Sequence, residues 1–202
     1  MNTKLLSVLF VLMAGALLAV ASPAAAQGQG EINLTLQPSD AEVTPGDAQL
    51  YDVVVEEPDS GISAYEKVEI EVADPTVANI TSFNETAPDG QDGPVSNSSI
   101  QDSGASLVLD TALLDAKFSA ASSVTIANVS VEAVGSRGDS TTLSFNQSND
   151  QQVTDNNNNI YAVTAFNDAN ISIPQPANFA VSIDSTNSPV VEGDDLSVTA
   201  TI

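Results

Sequence analysis

Hydrophobic and polar residues alternate with a period of two along most of this chain. Ile32, Leu34 and Leu36 alternate with Asn33 and Thr35, and Val68, Ile70 and Val72 alternate with Glu69 and Glu71. Leu143 and Phe145 flank Ser144, and Ile171 and Ile173 flank Ser172. Each pattern sends apolar side chains to one face and polar ones to the other, as a half-buried strand requires. Residues 50–55, with Val53, Val54 and Val55 in succession, predict a more central strand. Between Val124 and Val134 the phase slips: Val124 and Ile126 fall on even positions, whereas Val129, Val131 and Ala133 fall on odd ones. One extra residue near Ala127-Asn128 produces this, which predicts a bulge there or a strand that changes sheets.

Turn chemistry separates the strands: Pro45-Gly46-Asp47, Pro58-Asp59-Ser60-Gly61, Pro88-Asp89-Gly90, Gly135-Ser136-Arg137-Gly138-Asp139 and the Asn156-to-Asn159 run. Only residues 111–121 leave room for a helical turn or two. Many short strands with this punctuation predict an all-β sandwich or jelly roll over residues 31–173. Pro174-Gln175-Pro176 stiffens a linker over 174–178. Beyond it Phe179, Val181 and Ile183 alternate, as do Leu196, Val198, Ala200 and Ile202. These read as two strands opening a second sandwich over 179–202. Two strands alone bury no core, so either the reading frame continues past Ile202, which is the favoured expectation, or these strands dock onto the first domain.

The first 26 residues read differently. Lys4 precedes an apolar run over 5–20, and Ala24-Ala25-Ala26 supplies small residues for cleavage. This is the pattern of a secretory signal peptide, and its run falls short of the roughly 20 apolar residues of a membrane span. No cysteine follows to take a lipid. The expected location is secreted or cell-surface, with membrane attachment only through a downstream anchor. The 202 residues include 27 Asp and Glu against four Lys and Arg. All 27 acids lie after the cut, with only Lys67, Lys117 and Arg137 to oppose them, so three cations against 27 acids leave a charge of −24. Such a charge repels phosphate backbones and excludes nucleic acid as a partner. In molar salt the Debye length shrinks to about 3 Å and self-repulsion fades, which points to a halophilic host. Apolar residues make up 42% of the chain, enough for a core. His, Cys and Trp are absent, which removes imidazole bases, thiol nucleophiles, disulfides and the usual zinc sites.

In order and spacing, three segments resemble the cohesin family, the jelly-roll modules of cellulosome scaffoldins and their stand-alone relatives. Val43-Thr44-Pro45-Gly46-Asp47, the strand over 50–55 and Gly61-Ile62-Ser63-Ala64-Tyr65-Glu66 resemble the family's opening strand and its glycine-led second strand. Ala73-Asp74-Pro75-Thr76-Val77-Ala78 is similar to its tyrosine-aspartate-proline corner, with Ala73 in place of the aromatic. Residues 124–134, 138–145 and Val153-Thr154-Asp155-Asn156-Asn157-Asn158-Asn159 resemble the final strands and the turn before the last one. The resemblance implies a flattened sandwich of about nine strands that binds and does not catalyse. In cellulosomal cohesins one sheet face holds a calcium-loaded dockerin. The two terminal strands resemble the start of a bacterial cell-adhesion immunoglobulin-like repeat.

The remaining motifs add little chemistry. Glu56-Glu57, Asp194-Asp195 and the Glu69/Glu71 pair are the candidates for glycosidase carboxylates. Neighbouring strand residues point to opposite faces, and Glu69 and Glu71 read as solvated surface. Asp155-Asn156-Asn157-Asn158-Asn159 offers oxygens at alternate positions, yet Ile160 stands where an EF-hand needs glycine and Phe166 where it needs glutamate. Calcium at this loop, or at the acidic loop 89–92, is a minor expectation, and no cofactor is expected. Tyr51, Tyr65 and Tyr161, with Phe83, Phe118, Phe145 and Phe166 assigned to the core, make a poor platform for stacking sugars. Arg137-Gly138-Asp139 reads as a turn. Asn-x-Ser/Thr sequons recur at Asn33, Asn79, Asn84, Asn97, Asn128, Asn146 and Asn170, and make the chain a candidate glycoprotein. The expected function is an exported, non-enzymatic module that binds a dockerin-like protein. A carbohydrate-binding module for extracellular polysaccharide, or a surface-adhesion module, is the alternative. A purely structural spacer comes third.

Overall fold

A computed structural model describes residues 30–89, 95–114, 116–147 and 150–176, with the backbone of 183–186 and 198–200. The strands, in chain order, are β1 (Glu31–Gln37), β2 (Asp40–Glu42), β3 (Ala48–Glu56), β4 (Ala64–Val72), β5 (Ala78–Glu85), β6 (Val95–Ser96), β7 (Ser99–Gln101), β8 (Ser106–Ala112), β9 (Ser123–Ala133), β10 (Ser140–Phe145), β11 (Gln152–Thr154), β12 (Ala162–Asn167), β13 (Ala169–Ser172), β14 (Ile183–Thr186) and β15 (Val198–Ala200). Five form one sheet in the order β12-β1-β3-β9-β5. The second sheet runs β2-β13-β10-β4-β8-β6, with β11 on β4 and β7 on β8. The chain crosses repeatedly between the sheets, as a jelly roll does.

The alternating residues named above face each other across the sandwich. Ile32, Leu34 and Leu36 of β1 and Tyr51, Val53 and Val55 of β3 meet Val68, Ile70 and Val72 of β4 and Leu107 and Leu109 of β8 in one core. As expected, β3 is central, between β1 and β9. The phase slip in β9 is a bulge: Val53 pairs with Ala127 but Val54 with Thr125, which leaves Ile126 as the extra residue. Both Ile126 and Ala127 are buried, so the bulge lets two successive apolar residues enter the core. The strand does not change sheets.

The helical expectation for 111–121 fails. Thr111 and Ala112 finish β8, and Phe118 forms an antiparallel bridge to Ile62, exchanging both backbone hydrogen bonds at 3.0 and 3.1 Å. Tertiary pairing takes the backbone groups that a helix would use. A 3₁₀ turn lies instead at Asp102–Gly104. The Asp74-Pro75 corner carries the chain from β4 to β5. Its carboxylate accepts from the backbone N–H of Thr76 at 2.9 Å and from the Thr76 hydroxyl at 2.6 Å, while its own N–H donates to Thr141 Oγ1 at 2.9 Å. At the far end the backbone of β14 pairs antiparallel with β15, Ile183 opposite Ala200. The leader 1–26 and the side chains of 179–202 lie outside the described residues.

Candidate functional site

The outer face of the larger sheet carries exposed apolar residues beside a recess. Inward residues of β8 are Leu107, Leu109 and Thr111, so Val108, Asp110 and Ala112 point outward. Ala112 lies opposite both Ala64 of β4 and Val95 of β6. With Leu114 these residues make a small apolar patch, in which Val95 is 54% and Leu114 67% exposed. A recess of about 410 Å³ opens beside them, lined by Ala64, Ala112 and Leu114 and edged by Glu66 and Lys117. Lys117 is held there, its ammonium donating to the Asn156 carbonyl at 3.2 Å. A bulge opposite Asp110 sets Lys67 at φ 53°, exposed. Lys117 therefore borders the recess, and Lys67 lies farther along the strand that carries Ala64 and Glu66. At the opposite edge of the same sheet a polar groove of about 390 Å³ runs between Asp40, Glu42, Thr142 and Asn170.

A loop assembly supports the recess. Gly61 sits at φ +71°, and a Cβ there would lie 2.2 Å from the Phe118 carbonyl and 2.3 Å from Asn156 Nδ2. Only glycine admits this approach. Asn156 Nδ2 donates to the same Phe118 carbonyl at 3.0 Å. The Tyr161 hydroxyl donates to the Gly61 carbonyl and accepts the Ser60 N–H, both at 2.9 Å. Burial raises the Tyr161 pKa, and the Ser60 bond opposes that shift in part.

The loop weighed for calcium spends its carboxylate on its own backbone. Asp155 Oδ1 accepts from Asn157 N–H at 2.7 Å and Asn159 N–H at 2.8 Å, and Oδ2 accepts from Asn159 Nδ2 at 3.1 Å. Burial of this carboxyl acts to raise its pKa, but the bonds from Asn159 and Asn157 outweigh it and hold the group below the usual carboxylate range. Asn158 adopts φ 65°, the left-handed conformation that Asn tolerates. Among the described residues no group of three or more acidic side chains is placed to hold a metal. The loop 89–92 lies mostly outside them.

Among the described residues the carboxylate pairs do not line either recess. Glu69 and Glu71 are bridged by one amide, Asn146 Nδ2, at 3.0 and 2.6 Å; sequence reasoning missed this partner, which is some 75 residues away. Glu57 turns to φ 61° where β3 ends and leaves Glu56 in the strand. Asp194-Asp195 lies outside the described residues. In Arg137-Gly138-Asp139 the aspartate accepts the Ser136 N–H at 2.8 Å and closes a turn with Gly138 at φ +92°. All three tyrosines are buried, with Tyr51 and Tyr65 at 0% exposure and Tyr161 at 4%, so none is presented for stacking on a sugar. Burial, then the charge of Asp40, pushes the Tyr51 hydroxyl up to about 12. Burial and the charge of Glu85 push Tyr65 up as well.

The sequons occupy both sheets. Asn33, Asn79, Asn84 and Asn128 belong to the five-stranded sheet and Asn170 to the larger one; Asn146 is the residue just after β10, and Asn97 lies in the turn between β6 and β7. Asn128 Nδ2 donates to Asp52 Oδ1 at 2.6 Å, and Asn170 Nδ2 to Asp40 Oδ1 at 3.1 Å.

No family model and no curated protein matches the sequence. Solved structures do. The cohesin CaCohA2 of Clostridium acetobutylicum, in its complex with CaDoc0917, is similar with a TM-score of 0.56 at 11% identity over 71% of this chain and 98% of that one. The sixth cohesin of scaffoldin B from Acetivibrio cellulolyticus, solved with a Cel5 dockerin, gives 0.54 at 14% identity over 71% and 99%. A non-cellulosomal cohesin from the archaeon Archaeoglobus fulgidus gives 0.52 at 12% over 72% and 93%. The shared sandwich, recovered over nearly the whole of each neighbour, gives this chain the jelly-roll fold of the cohesin domains.

Proposed function

We propose that this chain is an exported, non-catalytic module that holds a protein partner, of dockerin type, on the outer face of its larger sheet. The observation that carries the reading is the apolar patch of Ala64, Ala112, Val95 and Leu114 beside a recess, on a fold whose solved neighbours include cohesins in complex with dockerins. Strand-borne residues of a packed sheet form a pre-organised surface, and such surfaces lose little entropy on binding. The host is a halophile, where screening removes long-range steering, and affinity rests on shape and short polar contacts. The burial of all three tyrosines favours a protein partner over polysaccharide.

The test is a pull-down from the surface fraction of the producing organism in about 2–4 M salt, where screening is complete. Wild-type chain is compared with a Val95→Asp/Leu114→Asp variant. A protein recovered by the wild type and not by the variant supports the reading. No protein, or equal recovery by both, opposes it, and glycan-array binding with no protein captured moves the function to carbohydrate.

A further inference from the structure

The seven sequons are alike in sequence and unlike in structure. At five of them the side chains of the motif are already spoken for. Asn128 and Asn170 donate to carboxylates, and Asn146 donates to two at once. Asn33 accepts from Thr164 Oγ1 at 2.9 Å, and its partner hydroxyl, Thr35, is buried and accepts from Asn167 at 3.0 Å. The Asn79 amide is placed to donate to the Pro75 and Ala78 carbonyls, both at 3.1 Å, and Thr81 of its motif donates to the Ser130 carbonyl at 3.3 Å. At Asn84 and Asn97 the case is reversed. Both asparagines are exposed, and neither they nor the hydroxyls two residues on, Thr86 and Ser99, have a side-chain hydrogen bond among the described residues.

We propose that Asn84 and Asn97 are the N-glycosylation sites of this chain and that the other five sequons stay unmodified. The co-reactant is a lipid-linked oligosaccharide. Nδ2 bonds to the anomeric carbon of the sugar as the anomeric C–O bond to the lipid phosphate breaks. The carrier leaves with that electron pair, and Nδ2 gives up one proton. At Asn146 this would remove one of the two N–H groups of the amide that bridges Glu69 and Glu71. At Asn84 and Asn97 no side-chain hydrogen bond among the described residues is lost. The two sites are neighbours: the Glu85 carboxylate accepts from the Ser98 hydroxyl, which joins β5, the edge of one sheet, to the segment beside β6, the edge of the other. Glycans here would cover two open strand edges at once, which are otherwise templates for aggregation.

The proposal needs passage through a glycosylating secretory pathway and is independent of the partner on the larger sheet. The full chain, placed behind a signal peptide that the expression cell cleaves, is secreted from cells that attach N-glycans, and sites are mapped by mass spectrometry of its peptides. The expected result is glycan on Asn84 and Asn97 alone. Asn84→Gln and Asn97→Gln should each remove one glycan mass, and Asn128→Gln none. A bare Asn84 or Asn97, or a glycan on any of the other five, overturns the proposal.

Discussion

Tyr161 and Gly61, one hundred residues apart, are joined by a 2.9 Å hydrogen bond from the phenol to the glycine carbonyl. The same oxygen accepts the Ser60 N–H, so one side chain satisfies two backbone groups of the turn that leads into β4. Tyr161→Phe leaves both unpaired and should cost about 1–3 kcal/mol. Gly61→Ala should cost at least as much, since it adds a Cβ against the Phe118 carbonyl at a positive φ. Urea denaturation of the two variants checks this, and a loss near zero in either would show that the turn is not a fixed support of the recess.

Asp155 and Asp74 both titrate below the usual carboxylate range. Bonds from Asn159 and Asn157 outweigh burial at the first, and the Thr76 hydroxyl and N–H hold the second. Folded values that are lowered contribute stability present above the unfolded value of about 4 and lost as pH falls through the folded one. The melting temperature in fixed salt should therefore drop below about pH 4. Asp155→Asn should lower it at neutral pH and flatten that acid limb.

Tyrosine ionisation probes the core directly. Tyr51 is pushed up to about 12, and Tyr65 and Tyr161 are raised as well. Raised values mean stability that holds below the ordinary tyrosine pKa and is lost as pH rises. Absorbance of the native chain near 295 nm should show no step at about pH 10, the ordinary tyrosine value. A tyrosinate step there in still-folded protein would contradict the packing.

Three cations facing 27 acids after residue 26 make the compact state self-repelling in dilute buffer. Raising salt from about 0.1 M to about 2 M contracts the Debye length from about 10 Å to under 3 Å. The urea midpoint should rise across that range. A flat or falling midpoint would remove the physical basis for a halophilic host.

Much of the fold was legible because one-sided burial writes itself as period two. Ile32-Leu34-Leu36 and Val68-Ile70-Val72 are buried as their spacing predicts, and the odd-even slip located the β9 bulge to within a residue. Strand β8 was hidden because Thr111, a polar residue at 1% exposure, takes an inward position and breaks the pattern. Strand β12 was hidden by its own irregularity: β1 shifts register against it between Ile32 and Asn33, and Val163 and Phe166 both pack on the core. The proposed binding face was not legible at all. It is assembled by pairing Ala64, Ala112 and Val95, small or unremarkable residues whose adjacency follows only from register. The same holds for the sequons at Asn33, Asn128, Asn146 and Asn170, whose partners come from distant strands.

The central claim is that the outer face of the larger sheet, and not the other, holds a protein. The direct measurement is the affinity of the captured partner, by calorimetry in high salt, for three forms of the chain. Val95→Asp/Leu114→Asp alters the proposed face. Leu50→Asp alters the five-stranded sheet at a residue of similar exposure, 54%. The account predicts that the first variant weakens binding at least about tenfold, a loss of roughly 1.4 kcal/mol, and that the second leaves it unchanged. Equal affinity for the first variant and wild type, or a loss confined to Leu50→Asp, would contradict it.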